Sequence, residues 1–268
     1  MKKISYYLIL CVVLFGCKDN AQITDIIPNH DTFTIDSKAV NETRVITVWT
    51  PPKYKESTAT FPVLYMPDGG IKEDFPHIAN TLSKLIDSKS IPPIILVGIE
   101  NTDRRKDLSG FSKIKADEDY CPLTDGAKNF RAFITDELFL EINKRYRTTA
   151  KKGIVGESLA GLFVVETLLL QPNAFDFYIA MDPSLWWNDM HLVKTATSRF
   201  QTFPDKDLKL WFAGSNAEDI SVATNTFAEL LKSSAAKHLN WKYSDEPNEA
   251  HNTIFRATKE KAFKWIMN

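Results

Sequence analysis

Residues 153–163, Gly-Ile-Val-Gly-Glu-Ser-Leu-Ala-Gly-Leu-Phe, constrain the chain more than any other stretch. Ile154, Val155 and Gly156 read as the end of a buried strand. Ser158 follows, and then Leu159, Leu162, Phe163, Val164, Leu168 and Leu169 recur at helical spacing, with no proline before Pro172. A serine held between a buried strand and a helix N-terminus has the geometry of a nucleophile elbow. Gly156 and Gly161 fall where a side chain would collide as strand and helix cross. Ala160 fills the second small position of the usual Gly-x-Ser-x-Gly pattern, so the steric logic holds. Read without that pattern, the same residues make a strand–helix turn with a serine N-cap.

The rest of the chain alternates strand and helix patterns. Residues 32–36 and 44–50 form two β-rich runs around a turn at Asn41-Glu42, an expected antiparallel pair at one sheet edge. Strands are then expected at 63–66, 94–99, 177–181, 208–213 and 239–243. Helices are expected at 73–87, 128–146, 189–200, 217–236 and 251–267. Residues 94–99 are continuously apolar, as in a strand buried on both faces. This order implies a mostly parallel sheet of about eight strands, with helices on both faces. Residues 101–125 carry no periodicity and read as a long excursion. With 268 residues, 44% of them hydrophobic, the chain can bury one large core.

The first residues look like a targeting segment. Lys2 and Lys3 precede an apolar stretch from Ile4 to Phe15, and Leu14-Phe15-Gly16-Cys17 matches a bacterial lipobox. The expected organisation is a lipoprotein signal peptide over 1–16, a tether over 17–30 starting at a lipidated Cys17, and an α/β-hydrolase domain over 31–268. The expected location is the bacterial cell envelope, with membrane contact only through the lipid. Cys121 is then the one cysteine left for the domain, so no internal disulfide is expected. A net charge of −1 and the absence of a basic stripe argue against nucleic acid as a partner. No Cys and His cluster has zinc spacing, and neither metal nor cofactor is implied.

Sites in open α/β sheets form beyond the carboxyl ends of the strands. A serine hydroxyl attacks only when an adjacent base takes its proton. Among five histidines, His251 alone follows the last strand, and it completes the order serine, acid, histidine used by α/β-hydrolases. The acid is expected after the seventh strand. Glu218 is preferred there over Asp219, although both also suit a helix first turn; Asp245, Glu246 and Glu249 precede the histidine too closely for the usual arrangement and stand as substitutes. Leu159 N–H and that of Gly69 or Gly70 are the expected oxyanion donors.

These residues together resemble a known family. Asp68-Gly69-Gly70, Asn101-x-x-Arg104-x-x-Asp107-Leu108, Gly156-x-Ser158-x-Ala160-Gly161, Pro183-Ser184-Leu185-Trp186-Trp187 and the late His251 look like the esterase D and enterobactin-esterase-like branch of the α/β-hydrolases. The resemblance implies metal-free, serine-dependent ester hydrolysis through an acyl-enzyme. Arg104 matches an arginine that contacts acidic or catecholate groups in siderophore esterases, and some members of the branch use a serine–histidine pair without a well-placed acid. The expected substrates are small-molecule or glycan-linked esters, of siderophore, acyl or feruloyl type. Trp186 and Trp187 either wall an aromatic acyl pocket or pack as core and rim. A silent binding lipoprotein on the same scaffold and an acyltransferase are the alternative functions.

Overall fold

A computed structural model describes residues 25–268. The signal peptide expected over 1–16 and the lipidation expected at Cys17 lie outside the described residues.

Eight strands form one sheet: β1 (Asp31–Ser37), β2 (Glu42–Trp49), β3 (Phe61–Pro67), β4 (Ile95–Ile99), β5 (Thr148–Glu157), β6 (Phe177–Met181), β7 (Leu208–Gly214) and β8 (Leu239–Asp245). Their spatial order is β1-β2-β4-β3-β5-β6-β7-β8. The opening hairpin is antiparallel, as its alternating pattern requires, and β2 also runs antiparallel to β4. Every other pairing is parallel. The chain thus has the mostly parallel α/β-hydrolase sheet, with helices packed around it.

The helices are α1 (Phe75–Asp87), α2 (Arg104–Leu108), α3 (Gly126–Ala132), α4 (Phe139–Arg145), α5 (Leu159–Leu170), α6 (Trp187–Phe200), α7 (Glu218–Ser234) and α8 (Ile254–Met267). A π-helical stretch, Phe133–Leu138, joins α3 to α4. Each sheet face buries its own apolar layer. Ile46, Tyr65, Ile154 and Phe212 belong to one layer, and Leu64, Leu96, Val155 and Trp211 to the other. Central strands buried on both faces need apolar residues at every position, which is why β4 and β6 show no alternation.

α5 is the buried helix, with every residue from Leu159 to Leu169 shielded from water. Being apolar nearly all round, it has no solvent face to present. Its one acidic residue, Glu166, is neutralised by the buried Arg131 at 3.0 Å. Burial of this order, at about 1.5–3 kcal/mol for each large apolar side chain, pins the amino end of α5 against β5 and β6. Residues 25–30, expected as tether, lie along the domain: Arg256 pairs with Asp25, and Asn80 Nδ2 donates to Ile26 O at 2.7 Å.

Candidate active site

Ser158 sits at the junction of β5 and α5 with φ 58° and ψ −117°. A non-glycine residue holds such angles only when its surroundings fix it. Here Ser158 N–H donates to Met181 O at 2.9 Å, and Ser158 O accepts from Leu162 N and Ser184 N. The close approach that makes the turn tight is measurable. A Cβ on Gly156 would stand 2.6 Å from the Ala160 backbone, and one on Gly161 would stand 3.0 Å from Pro183 Cα.

His251 lies in the turn between β8 and α8. Its Nε2 is 3.0 Å from Ser158 Oγ, and its Nδ1 is 2.6 Å from Asp182 Oδ2. With Nδ1 protonated, the ring donates to Asp182 and leaves Nε2 to accept from the serine hydroxyl. The expected serine and histidine are therefore brought together, but the acid is a different residue. Glu218 and Asp219 are corrected: both are exposed in the first turn of α7, where carboxylates suit the helix dipole. Adjacent strands are about 4.8 Å apart. β6 neighbours β5 in the sheet, whereas β7 is one strand further from Ser158.

Asp182 is fully buried and fully bonded. Its Oδ1 accepts from Ser215 N–H at 2.7 Å, and its Oδ2 accepts from Ser215 Oγ at 2.7 Å as well as from His251. A buried carboxylate persists as an anion only with such partners. The Asp182 hydrogen bond raises the His251 pKa above the usual imidazole value, against the opposing effect of burial. The sequence did carry a signal for Asp182: an acidic residue directly after a five-residue apolar strand, at the carboxyl end of the sheet. The expectation of an acid after the seventh strand passes over it.

The oxyanion donors are divided. Leu159 is the first residue of α5, so its N–H has no carbonyl one turn back in the helix. Gly69 is corrected: its N–H donates to Ile99 O at 2.9 Å, prolonging the β3–β4 pairing. Gly70 N–H donates to Glu73 Oε2 at 2.7 Å, and Glu73 N–H returns a bond to Gly70 O at 3.0 Å. Burial raises the Glu73 pKa.

Arg104 reaches the site but is already engaged. Its Nε and Nη2 donate to the two oxygens of Asp68 at 2.7 and 2.8 Å, a forked pairing that leaves little of its charge for a second anion. Asn101 Nδ2 bonds the same Asp68 at 2.6 Å. Trp187 is corrected as a substrate residue: it is buried, and its Nε1 donates to Gly110 O at 3.1 Å. Trp186 is half-buried, at the rim. Glu157, next to the serine, was not singled out from sequence. Burial, followed by the nearby Asp74, pushes its carboxyl up to about 8.

A family model named Esterase and described as "Putative esterase" matches residues 37–266. The chain belongs to this esterase family of the α/β-hydrolases. The activity class of the family is carboxylic ester hydrolysis. The esterase is 29% identical over 201 residues to the ferri-bacillibactin esterase BesA of Bacillus subtilis (strain 168), covering 68% of this chain and 67% of that one. It superposes with TM-score 0.82 on an IroE-like serine hydrolase from Shewanella oneidensis, 27% identical, covering 88% of this chain and 79% of that one. The BES protein from Bacillus cereus, 23% identical, shares the fold with TM-score 0.77 over 92% of this chain and 99% of that one.

Proposed function

We propose that this esterase works through an acyl-enzyme on Ser158, with His251 as base and Asp182 as the acid behind it. The observation that carries this reading is the unbroken line from Ser158 Oγ through His251 to the buried Asp182, at 3.0 and 2.6 Å. His251 Nε2 takes the hydroxyl proton as Ser158 Oγ attacks the ester carbonyl carbon. Asp182 holds the tautomer and steadies the imidazolium that forms. Leu159 N–H, at the positive end of α5, faces the developing oxyanion. Gly70 N–H is the second donor once Glu73 yields it. The tetrahedral intermediate collapses, and His251 returns the proton to the departing alcohol oxygen. Water, deprotonated by the same histidine, then attacks the acyl carbon and frees Ser158.

The substrate class we propose is a small ester met outside the cytoplasm. The lipobox at Leu14–Cys17 supports an envelope location, with a lipid on Cys17 as the anchor. The naming of BesA as a ferri-bacillibactin esterase supports siderophore-type esters among the substrates. Acyl or feruloyl esters carried on glycans fit the same chemistry.

Hydrolysis of p-nitrophenyl acetate tests the assignment. Ser158→Ala is expected to lower kcat by about a thousand-fold or more, because the nucleophile is removed. Retention of the parent rate would remove Ser158 from the mechanism.

A further inference from the structure

The turn after β3 fills its own donor. Gly70 N–H donates to Glu73 Oε2 at 2.7 Å, and Asn101 Nδ2 donates to Glu73 Oε1 at 2.8 Å. Glu73 N–H closes the turn on Gly70 O at 3.0 Å. Gly70 is buried, and a Cβ there would stand 2.9 Å from the same Oε2, so the glycine lets the carboxylate come this close. A glutamate reaching back three residues to a backbone N–H is also half of a helix capping box. Here α1 starts at Phe75 with Asp74 at its N-cap, so the Gly70–Glu73 bond lies ahead of the helix and caps none of its N–H groups.

The turn stands beside the nucleophile. β3 pairs directly with β5, with Tyr65 opposite Ile154. Beyond the paired residues, the two strand ends share one guanidinium. Arg104 Nη2 donates to Asp68 Oδ2 at 2.8 Å and to Glu157 O at 3.5 Å. Asp68 lies two residues before Gly70, and Glu157 is the residue before Ser158. In α/β-hydrolases the loop after this strand supplies the N–H that works with the one following the serine.

A developing oxyanion needs a donor about 2.7–3.1 Å away. Glu73 Oε2 is a carboxylate oxygen 2.7 Å from Gly70 N, and it stands in for the oxyanion in the resting protein. The carboxylate is not fully compensated there. Burial raises the Glu73 pKa in spite of the bonds from Gly70 and Asn101, and the Asp68 charge adds to the rise. A way out adjoins it: a cavity of about 470 Å³ is lined by Gly70, Ile71, Lys72, Glu73, Glu100 and Asn101, and Lys72 brings a cation to its wall.

We propose that Glu73 is an inhibitory plug: its carboxylate occupies the Gly70 oxyanion donor, and the ester carbonyl displaces it toward the Lys72 cavity before Ser158 attacks. The plug presupposes the serine-esterase reading and adds a regulatory step to it. The exchange trades one acceptor on Gly70 N–H for another.

The test measures kcat/KM for p-nitrophenyl acetate in the full chain and in Glu73→Ala, Glu73→Asp and Glu73→Gln. Glu73→Ala is expected to raise kcat/KM by about ten-fold, the worth of one hydrogen bond to a charged group. Glu73→Asp keeps the charge, is one methylene too short for Gly70 N–H, and is expected to raise it as well. Glu73→Gln keeps the reach without the charge and is expected to fall between the parent and Glu73→Ala. Rates no higher than the parent's in both Glu73→Ala and Glu73→Asp, with unchanged melting curves, overturn the plug. A rise in Glu73→Gln with none in Glu73→Asp assigns the effect to charge alone and also overturns it.

A second measurement needs no variant. Phenylboronic acid bonds through boron to Ser158 Oγ, the hydroxyl proton passing to His251, and the tetrahedral adduct places an oxygen at the oxyanion position. With its glycines isotope-labelled, the parent chain reports on Gly70 N–H by NMR. The Gly70 resonance is expected to shift as the adduct forms. An adduct on Ser158 that leaves this resonance in place overturns the plug, even if every variant unfolds. If no protein in the set hydrolyses the ester and no adduct forms, the serine-esterase reading fails and the plug with it. If the parent hydrolyses the ester and the folded variants are no faster, the plug alone fails.

Discussion

The turns after β6 and β7 both end parallel strands at the same edge of the sheet, and both carry carboxylates. They are used in opposite ways. The β6 turn buries Asp182 completely and gives it Ser215 and His251 as partners. The β7 turn supplies Ser215 to that network, while its own acids, Glu218 and Asp219, stay in water. What separates them is burial and pairing: the β6 turn supplies the acid that bonds His251, and the β7 turn braces that acid through the Ser215 backbone and hydroxyl. Chain order alone permits either turn, because both lie between Ser158 and His251 in sequence.

The comparison is broken most severely at Asp182. Asp182→Asn is expected to lower kcat by about a thousand-fold or more, while Glu218→Gln and Asp219→Asn stay within about two-fold of the parent. Steady-state rates on one short-chain ester compare all three. The pH profile adds a direction. Because Asp182 raises the His251 pKa, the parent rate climbs with pH at higher values than an ordinary imidazole would give. Asp182→Asn moves that limb to lower pH. A large loss in Glu218→Gln with little change in Asp182→Asn would return the acid to the β7 turn.

Ser215→Ala sharpens the supporting role. It removes the hydroxyl bond to Asp182 Oδ2 and leaves the Ser215 N–H bond to Oδ1. One such bond to a charged group is worth about 1.5 kcal/mol, so a fall in kcat of about ten-fold is expected in the same assay.

The smallest effect concerns Glu157, on the opposite flank of the serine. Its carboxyl is held up to about 8 in the folded chain, mainly by burial. A carboxyl whose folded pKa is raised keeps a proton that the unfolded chain loses near its usual value. Native stability therefore falls between the usual carboxylate pKa and about 8, and then levels off. Glu157→Gln abolishes this penalty. Its melting temperature is expected to gain on the parent as pH rises from 5 to 8, by a few degrees at most, in calorimetric scans across that range.

The fold was legible because burial writes itself into the parallel strands. β4 and β6 are apolar throughout, and the β1–β2 hairpin alternates where one side meets water. Ser158 was legible from the small residues around it, and His251 from its place after β8. Asp182 was not, because its selection depends on which strands are neighbours in space. The excursion over 101–125 stayed unreadable for a related reason. Its order comes from single side-chain bonds to residues more than seventy positions away, such as Trp187 to Gly110 and Asn188 to Asp117. Such contacts leave no periodic trace. Gly69 misled because a glycine in a strand-end turn signals close approach without telling whether its N–H is free.

The most direct test of the serine, histidine and aspartate assignment is covalent labelling. Diisopropyl fluorophosphate is added to the parent chain and to Asp182→Asn, and the adduct is mapped and timed by mass spectrometry. A single adduct on the peptide bearing Ser158, formed far more slowly in Asp182→Asn than in the parent, is the predicted result. An adduct on another serine, or equal rates in the two proteins, would contradict it.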